Sequence, residues 1–214
     1  AYERVANEFA ALLDIDPWLI NPIFRNCGQV NFKDRTGEEC LVHNVGATLE
    51  AIEAKYREYG IDRNPFVMVK ADSGTYGMGV LGVSSVDEIR GLNRKQRNRM
   101  TSTKDGLSVS RVLIQEGVYT EETFGDTAAS AEPVVYMIDH FVVGGFYRVH
   151  GGRSRTENLN APGMQFEPLA FAGPCNPPCD TMAPDATPNR FYAYGVIARL
   201  ALLAAARELD AATT

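Results

Sequence analysis

The stretch "VMVKADSGTYGMGV", residues 67–80, sets an apolar run and one lysine ahead of Gly74, Gly77 and Gly79. After the Asn64-Pro65 turn, "FVMVK" reads as a short apolar strand, and "GVLGVSS" beyond the glycines reads as a strand returning beside it. Glycines leave backbone N–H groups open to an anion because no side chain blocks the approach. Phosphate is the natural guest of such a loop, and a tight hairpin turn that happens to use glycine is the plain alternative. Residue order narrows the choice. A P-loop places its lysine after the last glycine and follows it with Ser or Thr. The dinucleotide fingerprint is G-x-G-x-x-G opening a helix, whereas the spacing here is G-x-x-G-x-G with a strand to follow. A protein kinase sets its glycine loop ahead of the strand lysine and carries H-R-D and D-F-G elements, which this sequence lacks. What remains is a strand lysine, Lys70, reaching across from below a hairpin loop that lies over phosphates as a flap.

Outward from that stretch, "YERVANEFAALLDI" has apolar residues at helical spacing and stops at Asp16-Pro17. Residues 17–39 are rich in turn formers and read as an irregular connection with room for a short strand. "NVGATLEAIEAKYREYG" is an amphipathic helix over 44–59, closed by Gly60 where a left-handed cap is common. Ser85 stands three before Glu88 as a capping box and opens a helix from about 86 to 100. "SRVLIQEGV" is the next strand, and "EPVVYMIDHFVVGGFYRVH" gives two more around an Asp139-His140 turn. Residues 161–189 are dense in proline and read as a functional loop or lid. The alanine-rich ending "NRFYAYGVIARLALLAAARELDAA" is an apolar helix that must pack on something.

Composition sets the bounds. The 214 residues suffice for one good-sized core or two small lobes, and a hydrophobic share of 45% with 22% charged residues is that of a soluble globular protein. A net charge of -6 argues against a general nucleic-acid binder. The basic run "RGLNRKQRNRM", residues 90–100, reads as the solvated side of a helix, with an anion-steering patch as the alternative. No apolar stretch approaches the ~20 residues that span a bilayer, and no charged-then-apolar signal segment opens the chain, so a cytoplasmic protein is expected. Of the cysteines at 27, 40, 175 and 179, only "CNPPC" places two close together; free thiols in a reducing compartment are expected over a zinc half-site. The opening "AYERVANEF", without a methionine, suggests a piece of a longer protein.

The order lysine strand, glycine flap, helix and strand ending "VLIQEGV" resembles the ATP-grasp fold, an α+β architecture in which two α+β lobes hold ATP between them. The resemblance implies that Lys70 contacts the α- and β-phosphates. It also implies that the flap residues Gly74, Tyr76, Gly77, Met78 and Gly79 cover the nucleotide, and that Gln115, Glu116 and Val118 line the adenine hinge. Glu121 or Glu122 would be the ribose contact. Downstream, "AEPVVYMIDHFVVGGFYRVHGGRSRTENLNAPG" is similar to the stretch of ATP-grasp ligases in which an acidic residue opens a hairpin and an arginine ends its second strand. Arg148 is then the cation for the γ-phosphate and the acyl phosphate, while Glu132, Glu157, Asn158 and Asn160 offer oxygen ligands of the kind Mg²⁺ prefers. The implied organisation is a helical and irregular segment over 1–64, a first lobe over 65–120 and a second over 121–214.

"VKADSGTYGMGV", "IQEGV", "EPVVYMID", "VVGGFYRVH", "ENLNAPGMQFEPL" and "YAYGVIARLALLAAARELD" together resemble the proteobacterial glutamate-cysteine ligase family, from about residue 20 onward. Its chains are longer at the N-terminus. The resemblance implies an ATP-dependent ligation of the glutamate γ-carboxylate to the cysteine amine, the first step of glutathione biosynthesis. The apolar last helix could pack internally or on another subunit, which leaves a homo-oligomer open. Tyr76 and Met78 would close the site against water. Two departures bear on this transfer. "ENLN" precedes the last helix with no further strand, leaving Glu157 with Asn158 or Glu157 with Asn160 as the metal pair. A second nucleotide-facing lysine is not placed; Lys33 and Lys55 are the candidates, the latter on the solvated side of its helix. Gln165 and Arg190 are candidate partners for a substrate carboxylate or amide. The alternatives are another ATP-grasp ligase, glutathione synthetase-like or peptide-forming, and a nucleotide-binding module without catalysis.

Overall fold

Alternation explains the first sheet. In the computed structural model, which describes residues 1–71, 79–101, 111–168 and 190–213, with the backbone alone at 190–192, Val67, Val69 and Ala71 are buried while Met68 and Lys70 between them are half-exposed. A strand that sends successive side chains to opposite faces needs only one face covered when its sheet is antiparallel.

In chain order the elements are α1 (Tyr2–Leu13), a 3₁₀ turn (Pro17–Leu19), β1 (Phe24–Gly28), α2 (Glu38–Glu58), β2 (Val67–Ala71) and β3 (Val80–Val83). They continue as α3 (Val86–Arg90), α4 (Arg94–Thr101), β4 (Arg111–Glu116), β5 (Thr123–Phe124), β6 (Ala129–Ile138), β7 (Phe141–His150), β8 (Gln165–Pro168) and α5 (Arg190–Thr213). Among the described residues the architecture is α+β with two four-stranded antiparallel sheets, ordered β1-β4-β2-β3 and β5-β6-β7-β8. The chain divides into two compact units, one of residues 22–120 with 153–162, the other of 1–21, 121–152 and 163–214. We call them the lysine unit and the hairpin unit. Among the described residues no helix is long and apolar enough to cross a membrane.

In the lysine unit, α2 presents Leu41, Val45, Thr48, Ile52 and Tyr56 as one buried stripe at helical spacing. The stripe packs on β1, β4 and β2, whose helix-facing side chains include Val67, Val69, Val112 and Ile114. Thr48 satisfies its buried hydroxyl by donating to the Asn44 carbonyl at 2.7 Å. Helix α2 begins at Glu38, six residues before the periodic run expected from sequence, because Gly37 adopts φ +76° and turns the chain into it. The single helix expected over 86–100 is two. Asn93 interrupts it by starting a new one, its side chain accepting from Gln96 N–H while Gln96 Oε1 accepts from Asn93 N–H, both at 2.9 Å. At Ser85 the reciprocal bond is one-sided: Glu88 accepts from Ser84 N–H at 3.0 Å, and the Ser85 hydroxyl makes no cap bond.

Gly117, at the exit of β4, has no room for a side chain. A Cβ there would lie 2.1 Å from the ring of Phe66, which packs edge-on against Tyr119 with centroids 5.1 Å apart. Gly117→Ala is therefore expected to lower unfolding stability by about 2–3 kcal/mol through overpacking. A fall in the urea midpoint at unchanged slope, with an altered near-UV aromatic signal, is the check.

In the hairpin unit, β6 and β7 run ten residues each and turn at Asp139, which takes φ +53°. Tyr136, Phe146 and Phe166 stack across β6, β7 and β8 with centroids 5.7 and 5.0 Å apart. Helix α5 packs on β6 and α1, burying Val5, Leu200 and Ala204 together. Arg207 and Glu8 tie α5 to α1 at 2.7 Å.

Candidate functional site

Lys70 lies on the face of the first sheet that the helices leave open. Its Nζ donates to Gln115 Oε1 at 2.6 Å, and burial lowers its pKa below the usual lysine range. Gln115 pairs with Met68 across β2 and β4, so it reaches Lys70 as a diagonal neighbour on the same face. Among the described residues the ammonium meets an amide oxygen and no carboxylate. Among the described residues the positive charge is thus partly desolvated without being neutralised.

The hairpin that carries Lys70 closes at Ala71 and Gly79, where Ala71 N–H donates to the Gly79 carbonyl at 2.8 Å. Gly79 takes φ +64°, and a Cβ on it would lie 2.7 Å from that of Ala71. Glycine is required at this position by both conformation and space. Gly74, Tyr76, Gly77 and Met78, expected to form the flap, lie outside the described residues.

Beside Lys70 on the same sheet face is a cavity of about 280 Å³. Phe66, Met68, Val80 and Gly82 form its sheet wall, Arg99 and Tyr119 stand at its edge, and Arg153, Thr156, Glu157 and Asn158 supply a polar wall. Lys70 and Gln115 share the sheet face without lining the cavity. The polar wall comes from a segment that rejoins this unit after a long excursion: Thr120 N–H donates to the Arg155 carbonyl at 2.8 Å, and Leu159 is fully buried. Glu157 accepts from Ser154 N–H and from Arg153 Nη1, each at 2.8 Å. Those bonds, the backbone one first, hold its carboxyl below the usual range. Asn158 Oδ1 accepts from Asn160 N–H at 3.0 Å, so Asn158 faces the cavity while Asn160 braces the turn behind it.

Glu116 points the other way from Gln115. It is buried on the helix-facing side and accepts from Ile23 N–H at 2.9 Å, beside the Tyr56 phenol, whose pKa is raised by burial first and by the Glu116 charge second. Its own N–H donates to the Ile23 carbonyl at 2.7 Å. Val118, just past the strand, is 69% exposed. Of the lysines left open by the sequence, Lys33 sits in an exposed turn, and Lys55 pairs with Glu58 at 2.9 Å and covers the Tyr59 ring.

In the hairpin unit, Arg148 and Glu132 face each other directly across β6 and β7, and Arg148 Nη1 donates to Glu132 Oε1 at 2.6 Å. Arg148 Nε is buried and has no hydrogen-bond partner among the described residues. A buried guanidinium donor without a partner costs about 1–3 kcal/mol. Glu122 accepts a hydrogen bond from the Tyr194 hydroxyl, and its carbonyl accepts from Ala131 N–H at 3.0 Å; Glu121 is exposed. Gln165 opposes Val149 on β7 with its side chain exposed, and Arg190 opens α5.

With this geometry in place, comparison with known proteins is decisive at the level of family. Residues 1–209 match the glutamate-cysteine ligase (GshA) family. The chain belongs to that family. A 1.90 Å crystal structure from Methylobacillus flagellatus KT, described as "Putative gamma-glutamylcysteine synthetase", is 62% identical with a TM-score of 0.85. The match covers 99% of this chain and 49% of that one, so the present chain spans about half the length of that relative. No curated protein matches the chain.

Several residues at the cavity carry no expectation from the sequence. Arg153, Thr156, Tyr119 and Gly117 border or brace the cavity, and Arg99 reaches it from the basic run. The Arg153–Glu157 pair lies in a turn outside any helix, so its spacing of four carries no helical pairing signal. The approach of residues 153–158 to β2 and β3 had no local signal either, because it is a long-range contact. The basic run is otherwise divided in use: Arg97 donates to the Leu92 carbonyl, and Arg94 and Lys95 face solvent.

Proposed function

We propose that this chain carries the ATP site of an ATP-grasp ligase that joins the γ-carboxylate of glutamate to the amine of cysteine through an acyl phosphate. The observation that carries the reading is Lys70: a partly desolvated ammonium on an open sheet face, without a carboxylate partner among the described residues, at the root of a glycine-rich hairpin. Membership of the glutamate-cysteine ligase family supports the reaction class.

In this reading the apolar wall of Phe66, Met68 and Val80 takes the purine, and Lys70 takes the α- and β-phosphates. Glu157 and Asn158 suit Mg²⁺ as hard oxygen donors on one cavity wall. A carboxylate and an amide suffice for an ion that keeps several waters and takes phosphate oxygens, and no cluster of three acidic, His or Cys ligands is present among the described residues. When bound, the ion would supply charge neutralisation to the phosphates. A γ-carboxylate oxygen of glutamate attacks the γ-phosphorus as the bond to ADP breaks; the cysteine nitrogen then attacks the acyl carbon and phosphate leaves. Lys70 and Arg148 hold the phosphate oxygens and neutralise the charge, so their contribution is position and electrostatics. Phosphate release that requires ATP, glutamate and cysteine together, measured on the whole protein, tests the reaction; release with a different amino-acid pair alone would overturn the substrate assignment.

Lys70 also makes nucleotide binding depend on pH. Burial depresses the pKa of the free site, and bound phosphates favour the charged form, so binding takes up a proton above that depressed pKa. Affinity should fall by about tenfold per pH unit as pH rises through that range. In Lys70→Arg, whose guanidinium stays charged, this decline should flatten. Titration calorimetry in buffers of different ionisation heat measures the proton uptake directly.

A further inference from the structure

We propose that Cys27 and Cys40 are a redox-active thiol pair that closes to a reversible disulfide between β1 and the first turn of α2. Their sulfurs are 3.1 Å apart, about 1 Å longer than a disulfide bond. The surrounding backbone imposes this approach. Between the two cysteines the chain folds on itself through the Asn31–Thr36 bridge, and Asp34 Oδ1 accepts from Thr36 N–H at 3.0 Å. Gly37 ends the loop at φ +76°, so tightly that a Cβ would lie 2.4 Å from the Gln29 carbonyl oxygen. The loop therefore arrives with its two sulfurs already in register, and closure asks for little backbone movement.

The two thiols are unequal in the way a reacting pair requires. Cys27 is buried, and its pKa is pushed up to about 12 by burial first and by its neighbour Cys40 second, so it stays protonated until its partner is activated. Cys40 is exposed, within reach of a dissolved oxidant, and Asn44 Nδ2 holds its sulfur in place by donating to it at 3.4 Å. A metal site is not the alternative here: among the described residues no third His, Cys, Asp or Glu joins the pair as a ligand set.

With hydrogen peroxide as oxidant the chemistry balances. The Cys40 sulfur attacks one peroxide oxygen, the O–O bond breaks, and Cys40 becomes a sulfenic acid with loss of one water. The Cys27 sulfur then attacks the Cys40 sulfur, the S–S bond forms as the S–O bond breaks, and the hydroxyl leaves as a second water with the Cys27 proton. The two sulfurs give up two electrons and the peroxide takes them.

The test treats the purified, reduced full chain with hydrogen peroxide and maps it with trypsin without reduction. The expected result is a link between the peptide of residues 26–33, which holds Cys27, and that of 36–55, which holds Cys40. A dithiol should reverse it. The oxidised chain should melt about 5 °C higher than the reduced one, because the bond restrains the unfolded chain. Cys40→Ser, a change at an exposed position, should abolish both the link and the shift. Oxidation of Cys40 to the sulfinic acid with Cys27 still free would overturn the proposal. So would linkage of either cysteine to Cys175 or Cys179, or no linkage at all.

Discussion

Lys70→Ala should weaken Mg-ATP binding by about two orders of magnitude, roughly 3 kcal/mol, while leaving the fold intact. The size follows from removing a charge-assisted contact to phosphate in a partly desolvated site. The indifference of the fold follows from what Lys70 does in the free protein. Its ammonium lies under the sheet with an amide oxygen as partner, and its lowered pKa is the mark of a charge that folding had to desolvate. Removing it removes that cost along with some packing of the stem, so Tm should hold or rise by about a degree. Calorimetric titration and thermal melts on the same samples separate the two effects. Equal nucleotide affinity in parent and variant would sink the assignment of Lys70, and a large fall in Tm would make it a structural residue instead.

Leu159→Ala should cost about 3 kcal/mol of stability, the usual result of emptying a fully buried leucine site. Its second effect is more informative. Leu159 sits between Asn158, which faces the cavity, and Asn160, which braces Asn158, so it is the anchor that holds the polar wall in place. Nucleotide affinity should fall with stability although Leu159 itself lines no part of the cavity. Urea unfolding gives the first number and titration at a temperature where the variant is folded gives the second. Loss of stability with unchanged affinity would detach the 153–158 wall from nucleotide binding.

Local chemistry made much of this legible. The strand around Lys70, the returning strand after the glycines, the paired strands around Asp139 and the last helix all follow from patterns a few residues long. Gln115 and Glu116 show where a pattern was present and unused: they are consecutive on β4, and period-two alternation sends one to the open face beside Lys70 and the other into the helix layer to hold Ile23. The early start of α2 depended on Gly37 adopting a left-handed conformation against Gln29, a contact without a local sequence signal. The break at Asn93 carried its signal in the Asn-x-x-Gln spacing, masked by a basic run that looked continuous. The meeting of residues 153–158 with β2 and β3 lay beyond reach because loop closure over such a distance is decided by the whole core.

The chain passes between its two units four times, since residues 153–162 belong with 22–120 while their flanks belong elsewhere. During synthesis the β1-β4-β2-β3 sheet has emerged once Glu116 leaves the ribosome, yet Leu159 is still to be made. The nascent lysine unit must therefore wait, with that part of its core unfilled, until residues 153–162 follow. A gene cut at any single codon between residues 21 and 163 would sever one unit or the other, so the two units are inherited together.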